Sequence, residues 1–267
     1  MSLTAEQLIP ARLFSKVAVA REVKMSIFQK SDMGAQAAWK GFSSQTLYVA
    51  SRLISDEGGY EYYPEDIEDL VVKKNGAVVE AVQVKNISAD ITLSSLAATK
   101  TSQSGEGFFN RMCSLHKQNP SFGCIKVVHF NALGAELQEV QKGNTNTQKA
   151  ITKKLVEKHG LSVEDAAWLL DSVHFEKVNL DDLELNIQAQ ISEYVPVMSA
   201  PTLAKELLIH HISVLSKGKG YTTLKLWQEK IHEIGINIAA LDGFYKEYNK
   251  SLVRLDELQL NGDHKQL

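Results

Sequence analysis

The stretch Glu65–Asn86, EDIEDLVVKKNGAVVEAVQVKN, decides the fold. Leu70-Val71-Val72 and the run Ala77–Val84 are rich in β-branched residues, and they flank Asn75-Gly76, the strongest short hairpin signal. Two antiparallel strands follow from this. Strand side chains alternate, so Gln83 and Lys85 share one face of the second strand. The carboxylates Glu65, Asp66, Glu68 and Asp69 precede the first strand. Which of them meets Gln83 and Lys85 depends on register. A two-residue loop sets Gln83 opposite Glu68 and Lys85 opposite Asp66, whereas a loop one residue longer brings Asp69 to their face. A single slip exchanges the candidates.

Upstream, MGAQAAWKGFSSQTLYVASRLISDEGG (Met33–Gly59) carries Phe42, Leu47, Val49, Leu53 and Ile54 at roughly helical spacing until Gly58-Gly59 stops them, which predicts a first core helix. Downstream, Asn86–Ile91 reads as a loop. ITLSSLAATKTSQSGEGFFNRMCSLHKQ reads as one helix or two, capped near Thr92 or Ser94 and broken at Gly105 and Gly107. CIKVVHFNA (Cys124–Ala132) is a further buried strand. The order helix, strand, strand, helix, strand predicts an α/β fold, a mixed sheet flanked by helices.

Beyond Leu133 strand signals nearly vanish. Helices are expected at NTQKAITKKLVEKHG, closed by Gly160, at SVEDAAWLLDSV, capped by Ser162, and at NLDDLELNIQAQISEYV, capped by Asn179. SAPTLAKELLIHHISVLSKGKG and TTLKLWQEKIHEIGI are expected to extend a helical lobe, and residues 239–267 are an expected helix before a polar tail. Trp168, Leu169, Leu170, Leu207, Leu208, Trp227 and Ile231 fit apolar stripes of bundle helices. The expected organisation is a lead at 1–32, a core at 33–135 and a helical lobe at 136–267 for oligomerisation or partner docking.

Composition narrows the function classes. A 267-residue chain with 44% hydrophobic content buries a substantial core. The net charge of -3 and pI near 6.3 give no global basic field. Cys113 and Cys124 form neither a metal spacing nor a disulfide framework, so a reducing cytoplasm is expected and both are read as packing residues. The first residues lack a signal-peptide pattern, and no window approaches the roughly 18 apolar residues of a membrane span. No phosphate-binding Gly-x-x-x-x-Gly-Lys-Ser/Thr loop, dinucleotide fingerprint, nucleophile elbow or His-Glu-x-x-His motif is present. His116, His129, His159, His174, His210, His211, His232 and His264 are read as ordinary surface or core residues.

The hairpin is left as the seat of chemistry. Two or three carboxylates in one place can hold Mg²⁺, which takes oxygen ligands and keeps several waters. A lysine beside such an ion can position an attacking water and offset charge on a phosphate, the requirement of phosphodiester hydrolysis. The same residues also fit a solvated acidic turn with an exposed strand-end lysine, and the pattern alone does not decide between the two.

The ordered set is more telling. It runs from a helix with Gly41-Phe42, Gln45 and Tyr48, through acids before an apolar strand and Gln83-Val84-Lys85 on the next strand, to Leu93 and Leu96 opening a helix. This set resembles a restriction-endonuclease-like nuclease of the PD-(D/E)xK superfamily. It is similar in particular to the nuclease effector domain of anti-phage proteins. That domain is known from CBASS endonucleases fused to a SAVED sensor, STAND NTPase effectors and the nuclease subunit of Lamassu systems. The resemblance covers residues 33 to 135. It implies Asp69 as the acidic metal ligand, Gln83 where many members have Glu, Lys85 as the motif lysine, Gln45 reaching in from the first helix, and Glu68 as the next metal ligand, with Asp66 and Glu65 behind it. The implied cofactor is Mg²⁺ (or Mn²⁺), held weakly until DNA phosphate adds oxygens.

The implied activity is endonucleolytic cleavage of double-stranded DNA with little sequence specificity, in anti-phage defence. A partner would restrain and trigger it, first an SMC/ABC-type ATPase or other sensor subunit, with a homo-oligomer as the active form. Lys100 and Arg111, and the cluster Lys142, Lys149, Lys153, Lys154 and Lys158, are the candidates for phosphate contact. A solvated helix face is the better reading of the second group. A catalytically silent DNA-binding module and a repair or restriction nuclease outside defence are the alternatives.

Overall fold

Asn75 and Gly76 both adopt positive φ, 52° and 78°, as a tight two-residue hairpin turn requires. They join β2 (Leu70–Lys74) to β3 (Ala77–Lys85) in the computed structural model, which describes residues 35–97, 106–194, 201–234, 243, 246–248 and 250–251. Next to the turn, Lys74 pairs with Ala77 and Lys73 with Val78. The register then shifts, so that Val72 pairs with Glu80, Val71 with Ala81 and Leu70 with Val82. Val79 is the extra residue of a β-bulge. Val78 therefore joins the same core as Ala81, while Val79 packs against the opposite one.

The sheet has five strands in the order β1-β2-β3-β4-β5. β1 (Glu61–Pro64) pairs antiparallel with β2, and β4 (Ile125–His129) lies parallel to β3. β5 (Val173–Lys177) lies parallel to β4. Neither edge strand was expected. β1 is a four-residue EYYP segment ending in proline, which a sheet tolerates at an edge. β5 begins directly where a helix ends, with no turn residue between them, and its VHFEK sequence is only partly buried.

Helix α1 (residues 35–54) covers one face of the sheet. α2 (Leu93–Ala97) and α3 (Phe108–Gln118) cover the other. Thr92 caps α2 through Oγ1, which accepts from Ser95 N at 3.2 Å while Ser95 Oγ accepts from Thr92 N at 2.9 Å. The later helices split between the faces. α4 (Ala135–Gln141), α5 (Thr145–His159) and α6 (Val163–Ser172) bury Leu137, Ile151, Leu155 and Leu169 against the α3 side. α7 (Leu180–Tyr194), α8 (Pro201–Gly218) and α9 (residues 224–234) bury Ile187, Leu208 and Trp227 against the α1 side. The division expected at residue 135/136 thus runs through one sheet, because its two apolar faces are where the stripes of the later helices find their partners. The expected caps Ser162 and Asn179 do accept main-chain N–H bonds, and Gly160 closes α5 with φ of 68°; Asn144, which the sequence did not single out, caps the start of α5.

A polar network locks α1 across the three parallel strands. Arg52 Nη2 lies 2.7 Å from Glu80 Oε2. Lys126 Nζ bridges Glu80 at 3.0 Å and Glu176 at 3.2 Å, and Tyr48 donates to Glu176 Oε2 at 3.1 Å. Burial, reinforced by Glu176, pushes the Tyr48 phenol far above its ordinary range. Cys113 and Cys124 are free thiols, and burial pushes Cys113 up to about 11, as suits packing rather than reactivity. No helix among the described residues is long and apolar enough to cross a membrane. Arg52→Ala leaves Glu80 with only Lys126 and should lower the unfolding free energy by about 1–3 kcal/mol in urea titrations. Glu80→Gln should cost less in that background than in wild type, because the Arg52 pair is already gone and only the Lys126 contact is left to lose.

Candidate functional site

The bulge decides which acid enters the site. Beyond Leu70↔Val82 the shifted register sets Asp69 beside Gln83, not Glu68. The bend that delivers Asp69 is closed by Glu65 N donating to Asp69 O at 3.1 Å, with Glu65 at a φ of 53°. Asp69 Oδ2 accepts from Val84 N at 2.7 Å and from Gln83 Nε2. Asp69 is 1% exposed and Gln83 2% exposed, whereas Lys85, at the end of β3, is partly open to solvent. The register left open by the sequence is therefore fixed in favour of Asp69, by a bulge rather than by a longer turn.

Glu68 turns elsewhere. Its Oε1 lies 2.7 Å from Arg111 Nε on α3, in a pair whose side chains are 1% and 10% exposed. Arg111 Nη1 also donates to Glu106 O at 2.7 Å. Glu68, expected as a metal ligand, is committed to a guanidinium, and Arg111, expected to face DNA, is buried against that carboxylate. Glu65 and Asp66 lie in the bend outside the paired strands.

Gln45 sits on α1, which covers the face of the sheet opposite to that of Gln83 and Lys85. It lies one turn before Tyr48 and Val49, on the stripe of α1 that faces the strands. Its neighbour Ser44 accepts from Asn86 Nδ2 at 2.6 Å, which brings α1 to the chain just past Lys85.

Two residues that the sequence reading passed over join this end of the sheet. In the parallel ladder Lys85 pairs with His129, and His129 pairs with Lys177. The expected lysine cluster behaves as a solvated surface. Lys142 pairs with Glu139 at 2.7 Å, Lys153 with Glu157 at 3.7 Å, and Lys154 with Glu136. Lys100 lies outside the described residues.

The oxygen donors at this end of the hairpin are one carboxylate and one amide. No group of three or more His, Cys, Asp or Glu side chains among the described residues is arranged to hold a metal. Asp69 offers a carboxylate and Gln83, whose Nε2 faces Asp69, offers its Oε1. Hard divalent cations take oxygen donors of these types, and an ion such as Mg²⁺ keeps several waters where the protein supplies few.

No protein-family model and no curated protein matches the chain. Solved structures do. The chain is similar to the Cap4 SAVED/CARF-domain containing receptor of Acinetobacter baumannii with the cyclic trinucleotide 3'3'3'-cAAA, at 18% identity and a TM-score of 0.47 over 72% of this chain and 44% of that chain. The Moraxella osloensis Cap4 receptor matches at 17% identity and a TM-score of 0.41, over 68% of this chain and 44% of that one. The chain thus spans less than half the length of these receptors, and at such identities no residue role carries across.

Removing one member of a buried ion pair leaves the other charge stranded, at a cost of about 3–5 kcal/mol. Arg111→Ala should show a loss of that size in chemical denaturation, and Glu68→Gln a smaller one.

Proposed function

We propose that this chain is a metal-dependent DNA endonuclease effector of a bacterial anti-phage defence system, cleaving duplex DNA with little sequence specificity once a partner or self-assembly activates it. The observation that carries the reading is the bulge-shifted register, which sets Asp69 beside Gln83, two residues before Lys85 and on its face of β3. The same residues carry the resemblance to PD-(D/E)xK effector nucleases. The defence context, and an SMC/ABC-type ATPase or other sensor as partner, rest on that resemblance.

Asp69 and Gln83 would hold Mg²⁺ or Mn²⁺, which supplies Lewis-acid stabilisation of the phosphate and a more acidic water. The protein's own contribution is placement. Two N–H donors fix the Asp69 carboxylate in a site from which water is largely excluded, where its charge acts more strongly than at the surface. Lys85, at the solvent-facing end of the same strand face, orients the attacking water and offsets negative charge on the phosphate. Gln45 brings a polar group from α1 to the strand end. Lys177, exposed at the end of β5, is a candidate phosphate contact beside the site.

The direct experiment incubates the protein, alone and with the products of its genomic neighbours, with plasmid and linear duplex in Mg²⁺. Wild type should nick or linearise plasmid, and Lys85→Ala and Asp69→Ala should each lower the rate by about 10²-fold or more. Cleavage that neither substitution slows would refute the assignment. No cleavage with any partner would favour the silent binding module.

A second expectation concerns charge. The neutral Gln83 amide donates to Asp69, so Gln83→Glu places two carboxylates in contact. The melting temperature of that variant should fall without divalent cation and recover in millimolar Mg²⁺, while its calorimetric Mg²⁺ affinity exceeds that of wild type. Equal melting behaviour in both conditions would argue against a metal at this pair.

A further inference from the structure

His129 closes β4 at 4% exposure, and the proposed cleavage does not use it. Its Nδ1 lies 2.6 Å from Asn131 O. A carbonyl only accepts, so Nδ1 carries the proton and the ring plane is fixed. Asn131 Nδ2 in turn donates to Ile87 O, two residues past Lys85. Phe130 N donates to Lys85 O at 3.4 Å, and Asn86 is held by Ser44. The chain at 85–87 is thus tied to the chain at 129–131 by a series of bonds that begins at the His129 ring. The parallel register also makes His129 the partner of Lys85 across the ladder. Neighbouring strands run about 4.8 Å apart and paired side chains project to one face, so His129 and Lys85 leave the sheet as neighbours on that face.

Resting on the nuclease reading, we propose that His129 is a positioning residue for Lys85. It fixes the strand end through Asn131 and walls the lysine stem with its ring, so that the ammonium is held toward the phosphate. A lysine has four flexible methylenes, and a displacement of about 1 Å in a reacting group can cost as much as 10²-fold in rate. A leucine would fill the same volume. It could not donate to Asn131, which is why a buried histidine at this position signifies more than packing.

The test uses the full chain under whichever partner condition activates it. In saturating plasmid, His129→Ala should lower kcat by about 10-fold or more with KM for DNA within about twofold. Asn131→Ala should fall in the same direction, and His129→Asn, whose amide sits near the place of Nδ1–H, should recover part of the loss. Wild-type kcat in His129→Ala overturns the proposal. So does a loss that His129→Asn fails to relieve and that follows a drop in melting temperature, since that is what a purely structural role gives. If wild type cleaves, Lys85→Ala is dead and His129→Ala is intact, this inference alone fails. If wild type never cleaves, the nuclease reading fails and takes this one with it.

Discussion

One unpaired residue, Val79, determines what this sheet can do. The Asn75-Gly76 turn alone would propagate a register in which Glu68 meets Gln83 and every side chain beyond keeps that phase. The bulge cancels that phase. It turns Asp69 toward Gln83 and releases Glu68 toward α3, and it also sets Glu80 on the α1 face, where Arg52 and Lys126 meet it. The cluster on one face and the network that locks α1 on the other are consequences of the same inserted residue.

Adjacent carboxylates at the head of a buried strand pose an electrostatic problem that the fold solves asymmetrically. Glu68 is matched by the guanidinium of Arg111, whereas Asp69 is met by the Gln83 amide and the Val84 main-chain N–H, donors without formal charge. Buried charges persist only when paired or hydrogen-bonded. Glu68 is thus tied into the fold by a cationic partner, and Asp69 is held at the strand by its two N–H donors. In the proposed nuclease, a glutamine in place of the usual glutamate halves the charge of the metal pair, so the substrate's phosphate has more to contribute to holding the ion. An effector that must stay quiet until triggered gains from such a dependence.

The parts legible in the sequence were those with local causes. Asn75-Gly76 marked its turn, Asn179 and Ser162 their caps and Gly160 its helix end, because each acts within a few residues of itself. Asp69, Gln83 and Lys85 were likewise readable as residue types at a spacing. The bulge was not, since AVVEAVQV carries no glycine or proline to mark it and holds three apolar residues and one polar residue in either phase. Nor was the Glu68–Arg111 pair, whose members are 43 residues apart. β5 was hidden for a related reason. Its partly polar VHFEK is an edge strand whose pairing with β4 only the assembled sheet supplies, and without it the helices after residue 135 read as a separate lobe.

That fifth strand also changes how the site end of the molecule should be understood. With β3, β4 and β5 parallel, their C-terminal ends present Lys85, His129 and Lys177 in register, next to the loops that open-sheet proteins commonly use for ligands. A histidine that looks incidental in the chain becomes the middle member of that row. Its proton is committed to Asn131 and its burial is nearly complete, so it can contribute little by touching a ligand itself. Its influence must pass through its neighbours, and the neighbour across the ladder is the one lysine that the hairpin motif requires.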